Sequence, residues 1–146
     1  MAINLKHMFQ RILAILAIAA ASLTGCGSSG SGIHPVRGQV RLVSGDSSPL
    51  VGHVIEIAKA DDQQVRASGE IKIDGNFQLE SLEGGKIHAG ASPGKYRARI
   101  VLSDDDPQAR QVAAAALHPR FLKFDSSGLL VEVPTTGAVE LQVSRQ

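Results

Sequence analysis

The chain has no tryptophan, one tyrosine, four phenylalanines and a single cysteine in 146 residues. One cysteine rules out an intramolecular disulfide and any cysteine-clustered zinc site. So few aromatic rings count against a carbohydrate platform or a base-stacking surface, which both rest on exposed rings. The four histidines beyond the amino-terminal region are His34, His53, His88 and His118, and none stands three or four residues from another. A structural zinc site set by sequence spacing is therefore excluded, and exposed or edge positions are expected for all four. The serines lack a Gly-x-Ser-x-Gly frame, so no activated nucleophile is signalled. No acidic residue precedes Asp46.

That acid-free stretch has a definite grammar. Lys6 and Arg11 lead into an unbroken apolar run from Ile12 to Ala21, followed by Ser22-Leu23-Thr24-Gly25-Cys26. A charged start, a short apolar run and a small-residue end make an export signal. The run of ten residues would rise about 15 Å as a helix, half of the ~30 Å hydrocarbon core, so it is too short to span a bilayer. Leu23-Thr24-Gly25-Cys26 resembles the lipobox of bacterial lipoproteins, in which the cysteine thiol is acylated and the chain is cut just before it. Here cleavage falls between Gly25 and Cys26. The chemistry asks for cysteine because a thiolate is the effective nucleophile. One acyl chain anchors marginally, at ~0.8 kcal/mol per buried CH₂, and two or three anchor durably. Residues 1–25 thus read as signal peptide, and residues 26–33 as a lipidated cysteine with a Gly/Ser tether. The six residues Gly27 to Gly32 have a mean reach of about 13 Å.

Residues 34–146 read as one domain. Removing the signal leaves 13 basic against 14 acidic residues, a net charge of −1. A nucleic-acid binder would carry a basic footprint instead. Alternation of apolar and polar residues predicts strands over 34–43, 53–60, 65–73, 76–82, 95–102, 129–133 and 139–143. Residues 83–93 read as a Gly-rich polar loop. Asp104-Asp105-Asp106-Pro107 reads as a helix start, with Asp106 as cap and Pro107 in the first turn, for a helix over 108–117 that Pro119 stops. The acid run lacks the spacing of a calcium loop.

Parity constrains the turn around Asp74-Gly75. A two-residue loop would put Ile71 and Phe77 on opposite faces. A three-residue loop, Ile73-Asp74-Gly75, opposes Lys72 to Asn76 and places Ile71 and Phe77 on one face, with Gly75 at φ > 0. The third and fourth strands are expected to pair through this hairpin.

Four segments recur in a family order: Val36-Arg37-Gly38-Gln39-Val40, Pro49-Leu50-Val51-Gly52-His53-Val54, Asp74-Gly75-Asn76-Phe77-Gln78-Leu79 and Pro93-Gly94-Lys95-Tyr96-Arg97-Ala98. Together they resemble a carboxypeptidase regulatory-like domain of the transthyretin-like (prealbumin) type. Pro119-Arg120-Phe121 with Ser126-Ser127-Gly128-Leu129 is similar to small envelope lipoproteins of planctomycete bacteria built on that domain. Two positions depart from the family pattern. Ile71-Lys72 stand where Thr-Asp is usual, and Arg120-Phe121 where Lys-Tyr is usual.

Seven short strands with one helix suggest an all-β fold, a seven-stranded antiparallel β-sandwich of the transthyretin-like type that the resemblance also implies, preceded by a cleaved signal peptide. The family carries no general activity that could be transferred, and neither a cofactor nor a metal is expected. The expected role is a non-catalytic envelope lipoprotein, held to a membrane by lipid, with an envelope protein as partner. Gly27 after the cysteine leaves no Asp retention signal, which favours the outer membrane over the inner. One alternative is a glycan- or substrate-capturing domain of an envelope complex. The other is a small transthyretin-like hydrolase, although the ending Val143-Ser144-Arg145-Gln146 lacks the Tyr-Arg-Gly-Ser of hydroxyisourate hydrolases.

Replacing the thiol tests the anchor directly. Cys26→Ser should leave a soluble or uncleaved precursor. Processing after Gly25 together with wild-type detergent fractionation of this variant would exclude lipidation.

Overall fold

The structure, a computed structural model, describes residues 32–43 and 45–145. The export signal, Gly25 and Cys26 lie outside the described residues. Nine strands are present among the described residues: β1 (Arg37–Leu42), β2 (Val54–Lys59), β3 (Arg66–Glu70), β4 (Asn76–Gln78), β5 (Glu80–Glu83), β6 (Lys86–Ala89), β7 (Gly94–Val101), β8 (Leu129–Val133) and β9 (Val139–Val143). They form a three-stranded sheet in the order β4-β1-β9 and a six-stranded sheet in the order β6-β5-β3-β2-β7-β8. A helix, α1 (Pro107–Ala116), and a single helical turn, α2 (Phe124–Ser127), complete the described elements beside short 3-10 turns.

Alternation is realised strand by strand. In β1 the side chains of Val40 and Leu42 are buried while Arg37 and Arg41 are exposed. In β7 Tyr96, Ala98 and Ile100 are buried and Lys95 and Arg97 exposed. The apolar faces of both sheets meet in one cluster that includes Val36, Val40, Ile55, Ile57, Tyr96, Ile100 and Val143. Tyr96 is buried with its polar end satisfied. Its hydroxyl donates to the Ser92 carbonyl at 2.8 Å and shares a 3.0 Å bond with the Ser92 hydroxyl. A buried phenol without such a partner would cost a desolvation penalty of about 1–3 kcal/mol.

The structure departs from the expected seven-stranded antiparallel sandwich in three ways. First, β1 and β9 run parallel, with Gly38 opposite Val139, Val40 opposite Leu141 and Leu42 opposite Val143. That register puts the inward residues of both strands in the same rows. Second, the segment expected as one strand over 76–82 is divided at Leu79. Its first half, β4, pairs with β1, and its second half, β5, pairs with β3. The chain crosses between sheets at this point, with the Leu79 N–H donating to the Val36 carbonyl at 2.9 Å. Third, residues 83–93 are not all loop. Gly84 and Gly85, both at positive φ, turn β5 back into β6, with Glu83 opposite Lys86 and Leu82 opposite Ile87. Two consecutive positive-φ residues are what a two-residue hairpin turn asks for.

The turn at Asp74-Gly75 is partly as expected. Lys72 N–H donates to the Asn76 carbonyl at 2.7 Å, Gly75 has φ +78°, and Ile71 and Phe77 are both buried. The stems do not pair as a hairpin, however. Beyond Lys72 and Asn76 they separate, because Ile71 bonds to the Gly52-His53 backbone while Phe77 lies opposite Gly38. Asp74 also takes positive φ, +62°, a conformation that Asp tolerates better than most residues. The turn is therefore an arch between sheets, and both apolar side chains reach one core from opposite layers.

The helix begins where its cap dictates. Asp106 Oδ1 accepts from the N–H groups of Gln108 (2.9 Å) and Ala109 (3.0 Å), with Pro107 in the first turn. Ala113 and Leu117 are buried in the same core cluster as Phe121, and His118 N–H donates to the Ser144 carbonyl at 2.8 Å. This last bond ties the end of the helical segment to the residue after β9.

Three substitutions separate these roles. Phe77→Ala should cost about 3–5 kcal/mol through lost transfer energy and the cavity left behind. Gly75→Val should cost at least about 2 kcal/mol, since positive φ resists β-branching and a Cβ there would collide with the Val40 carbonyl oxygen. Lys72→Ala should change stability by less than about 0.5 kcal/mol, because the Lys72–Glu70 pair is solvent-exposed. Denaturant melts of the three variants read out all of these values.

Candidate functional site

Two features stand out on the outer face of the six-stranded sheet. The first is a charged cluster built from three strands and the α2 turn. Period-two alternation sends Glu56 of β2, Arg66 of β3 and Arg97 and Arg99 of β7 outward. Register then places Glu56 opposite Arg99 and Ser68. Glu56 Oε2 accepts from Arg99 at 2.6–2.7 Å, and Glu56 Oε1 accepts from Arg66 at 3.2 Å. The Glu56 side chain is only 16% exposed, so its two oxygens are held rather than freely solvated. The Phe124 ring lies under both guanidiniums, 4.6 Å from Arg99 and 5.6 Å from Arg66. Arg97 pairs with Asp125 at 2.8 Å, and the Ser127 hydroxyl donates to the Ala98 carbonyl at 2.6 Å. These contacts fasten the α2 turn onto β7.

The second feature is the β5–β6 hairpin. Leu82 and Ile87 face each other across it and are 69% and 71% exposed. Between the hairpin and the charged cluster runs a shallow groove of about 340 Å³, lined in part by Glu56, Arg66, Ser68, Glu80, Leu82 and Ile87. A wider cleft of about 580 Å³ is formed by the segment from Leu130 to Val139, where β8 leaves one sheet and β9 joins the other.

The residues singled out in sequence are dispersed. His53 is buried, against the expectation of four exposed or edge histidines. Its Nδ1 accepts from the Ser103 N–H at 3.1 Å, which puts the ring proton on Nε2, an atom with no partner in the structure. His118 is exposed and accepts from the Arg120 N–H, as the cap of a 3-10 turn. His34 bridges to Ala91, and His88 lies opposite Ser81. Among the described residues no group of three or more His, Cys, Asp or Glu could hold a metal ion. The acid run is engaged locally. Asp104 pairs with Arg110, Asp105 accepts from the Ser103 hydroxyl, and Asp106 caps α1. Elsewhere, the Ser48 hydroxyl and then the Ser48 N–H hold the Asp46 carboxyl below its ordinary value.

Tyr96, Phe77 and Phe121 are buried, and Phe124 is half-buried under its arginines. The described residues therefore offer no exposed aromatic platform. No helix among them is long and apolar enough to cross a membrane. Compared with protein-family models, curated proteins and solved structures, the chain finds no match.

The Glu56 cluster can be tested by removing its charge. Glu56→Gln leaves two guanidiniums close together without their shared anion. The loss should be about 1–2 kcal/mol, since hydrogen bonds to charged groups are worth more than neutral ones and Glu56 is only partly screened. Part of it should vanish at high salt, which screens the remaining repulsion. Urea melts at two ionic strengths measure both effects.

Proposed function

We propose that this protein is a non-catalytic envelope lipoprotein, acylated on Cys26, whose β-domain serves as a structural or protein-binding module. The observation that carries the proposal is Leu23-Thr24-Gly25-Cys26 at the end of a charged-then-apolar leader, with its cysteine the only one in the chain. A lone cysteine in an exported protein calls for an explanation, and acylation provides one. The Gly/Ser stretch that follows in sequence leads to the domain, whose described buried cluster includes Val36.

The proposal extends to a carboxypeptidase regulatory-like domain of the transthyretin-like type. Two packed sheets with a short helix support it. So does the placement of the resembling segments, since Val36 to Val40 lead into and form β1, Asn76 to Leu79 make the crossing between sheets, and Gly94 to Ala98 begin β7. The outer membrane is the proposed location, from Gly27 at the position after the cysteine. The charged part of the outer face, around Glu56, Arg97 and Arg99, is the surface offered to a partner. Its arginines and Glu56 are fixed by one another, so a partner would meet a preorganised pattern and lose less entropy in binding it.

Crosslinking in intact cells, followed by purification of the lipidated form, should recover one envelope protein in stoichiometric yield. That yield should fall when Arg97 and Arg99 are both replaced by Ala. Recovery of wild-type protein in the soluble fraction would overturn the anchor. Turnover of hydroxyisourate by the purified protein would overturn the non-catalytic assignment.

A further inference from the structure

We infer that the β5–β6 hairpin is a second membrane contact, laying Leu82 and Ile87 into the lipid interface beside the anchor. This inference rests on acylation of Cys26. The hairpin is the outermost pair of strands in the six-stranded sheet. Its two branched aliphatic side chains are directly opposed and are among the most exposed large apolar residues described. Glu83 and Lys86 flank them at the turn. Lys86 can lay its stem along the apolar pair and keep its ammonium at headgroup level.

What covers this pair follows from where the chain enters the domain. The described chain starts at Gly32, and His34 exchanges two backbone bonds with Ala91, at 2.9 and 3.0 Å. Ala91 is two residues beyond the end of β6. The entering chain is thus stitched to the base of the same hairpin. Ile87 lies four residues from Ala91, roughly 13 Å along an extended strand. Gly32 stands six residues beyond Cys26, a length of chain that covalent geometry limits to about 20 Å. An acylated Cys26 would therefore hold Gly32 no more than about 20 Å of chain from the lipid, and Gly32 is two residues from the His34–Ala91 bridge.

The size of the patch favours lipid over protein. A stable protein interface buries on the order of 1,200–2,000 Å², far more than two side chains on a narrow ribbon supply. A lipid surface asks for no shape complementarity. The anchor has already removed most of the translational freedom, so a contact too weak to hold a free domain becomes populated at high effective concentration. Engagement of the hairpin would also orient the domain, directing the opposite edge, β8, away from the bilayer.

The absence of tryptophan makes the test clean, because a single introduced indole is the only one in the molecule. Ile87→Trp and Leu130→Trp are prepared as full-length, cell-processed lipoproteins and reconstituted into phosphatidylcholine vesicles with or without brominated acyl chains. Leu130 is 72% exposed on β8, at the far edge of the same sheet, and serves as the control. Flotation reports the anchor, and quenching reports the hairpin. Both variants should float, and the indole at position 87 should be quenched several-fold more than the one at position 130. Flotation with no quenching at 87, or with equal quenching at both positions, overturns the hairpin contact and leaves the anchor standing. A blue shift at 87 that grows with protein concentration in detergent, without quenching by brominated lipid, assigns the pair to a second copy and also overturns it. Failure to float removes the anchor, and the inference falls with it.

Discussion

The two sheets are joined at a place where a side chain is missing. Gly69 on β3 sits so close to the Gln78 carbonyl that any Cβ there would collide with the backbone. The chain leaves β3, arches through Asp74-Gly75 and returns as β4 across that glycine, then passes at Leu79 into β5. Each half of the 76–83 segment thus serves a different sheet. Corners of this kind, where one strand changes layer, are a way to close a sandwich without a long connection. The rest of the core depends on this closeness. Among the described residues only three aromatic rings are buried, those of Phe77, Tyr96 and Phe121, and the interior is filled largely by Val, Ile, Leu and Ala. Such small side chains fill the space at native density only if the backbones approach one another.

Features written in local chemistry are legible in the amino-acid sequence alone. The inward and outward faces of β1, β2 and β7 follow from alternation. The Asp106 cap follows from Asp-Pro ahead of a helical run. Even the parity argument at Ile71 and Phe77 locates both side chains in the core while misjudging their pairing. It succeeds because parity reports which side of a chain is apolar. It fails on the pairing because two strands can turn the same side to one core from opposite sheets. Alternation likewise continues through Leu79, which stays buried across the sheet change, so nothing local marks the division of 76–82. The parallel β1–β9 pair joins residues about a hundred positions apart, which no window of sequence can see. The β5–β6 hairpin does carry a local signal. Leu82-Glu83-Gly84-Gly85-Lys86-Ile87 holds a two-residue Gly-Gly turn between alternating stems, and an expectation of loop gives too much weight to its polarity.

The candidate surface is less legible than the fold. Glu56, Arg66 and Arg99 each read as ordinary outward residues. Their cluster exists because register aligns β2 with both β3 and β7, and because the α2 turn brings Phe124 back over the sheet. His53 escapes sequence reasoning for a related reason. Its partner is a backbone N–H fifty residues away, and a histidine at a strand start carries no local mark of burial. The proposed anchor is the opposite case. A lipobox is a linear motif, so whatever signal Gly25 and Cys26 carry is held in the sequence alone.

A tether and a folded surface act differently on function, and this chain would combine them. Acylation at Cys26, as proposed, would fix where the protein is but would not by itself fix which way its domain faces. A binding face gains from being oriented, because a partner in the same membrane or in the layer beyond it meets the domain only over a limited solid angle. The apolar pair of the β5–β6 hairpin, on the proposed reading, would supply that constraint with two side chains. The ion-paired face carrying Arg97 and Arg99 would supply specificity in the proposed binding role, because paired charges repel the wrong partner as well as attracting the right one. The division also explains how the outer face can hold so many charges in a chain of nearly balanced charge. Glu56 and Asp125 neutralise the arginines locally, so the face presents a pattern rather than a field.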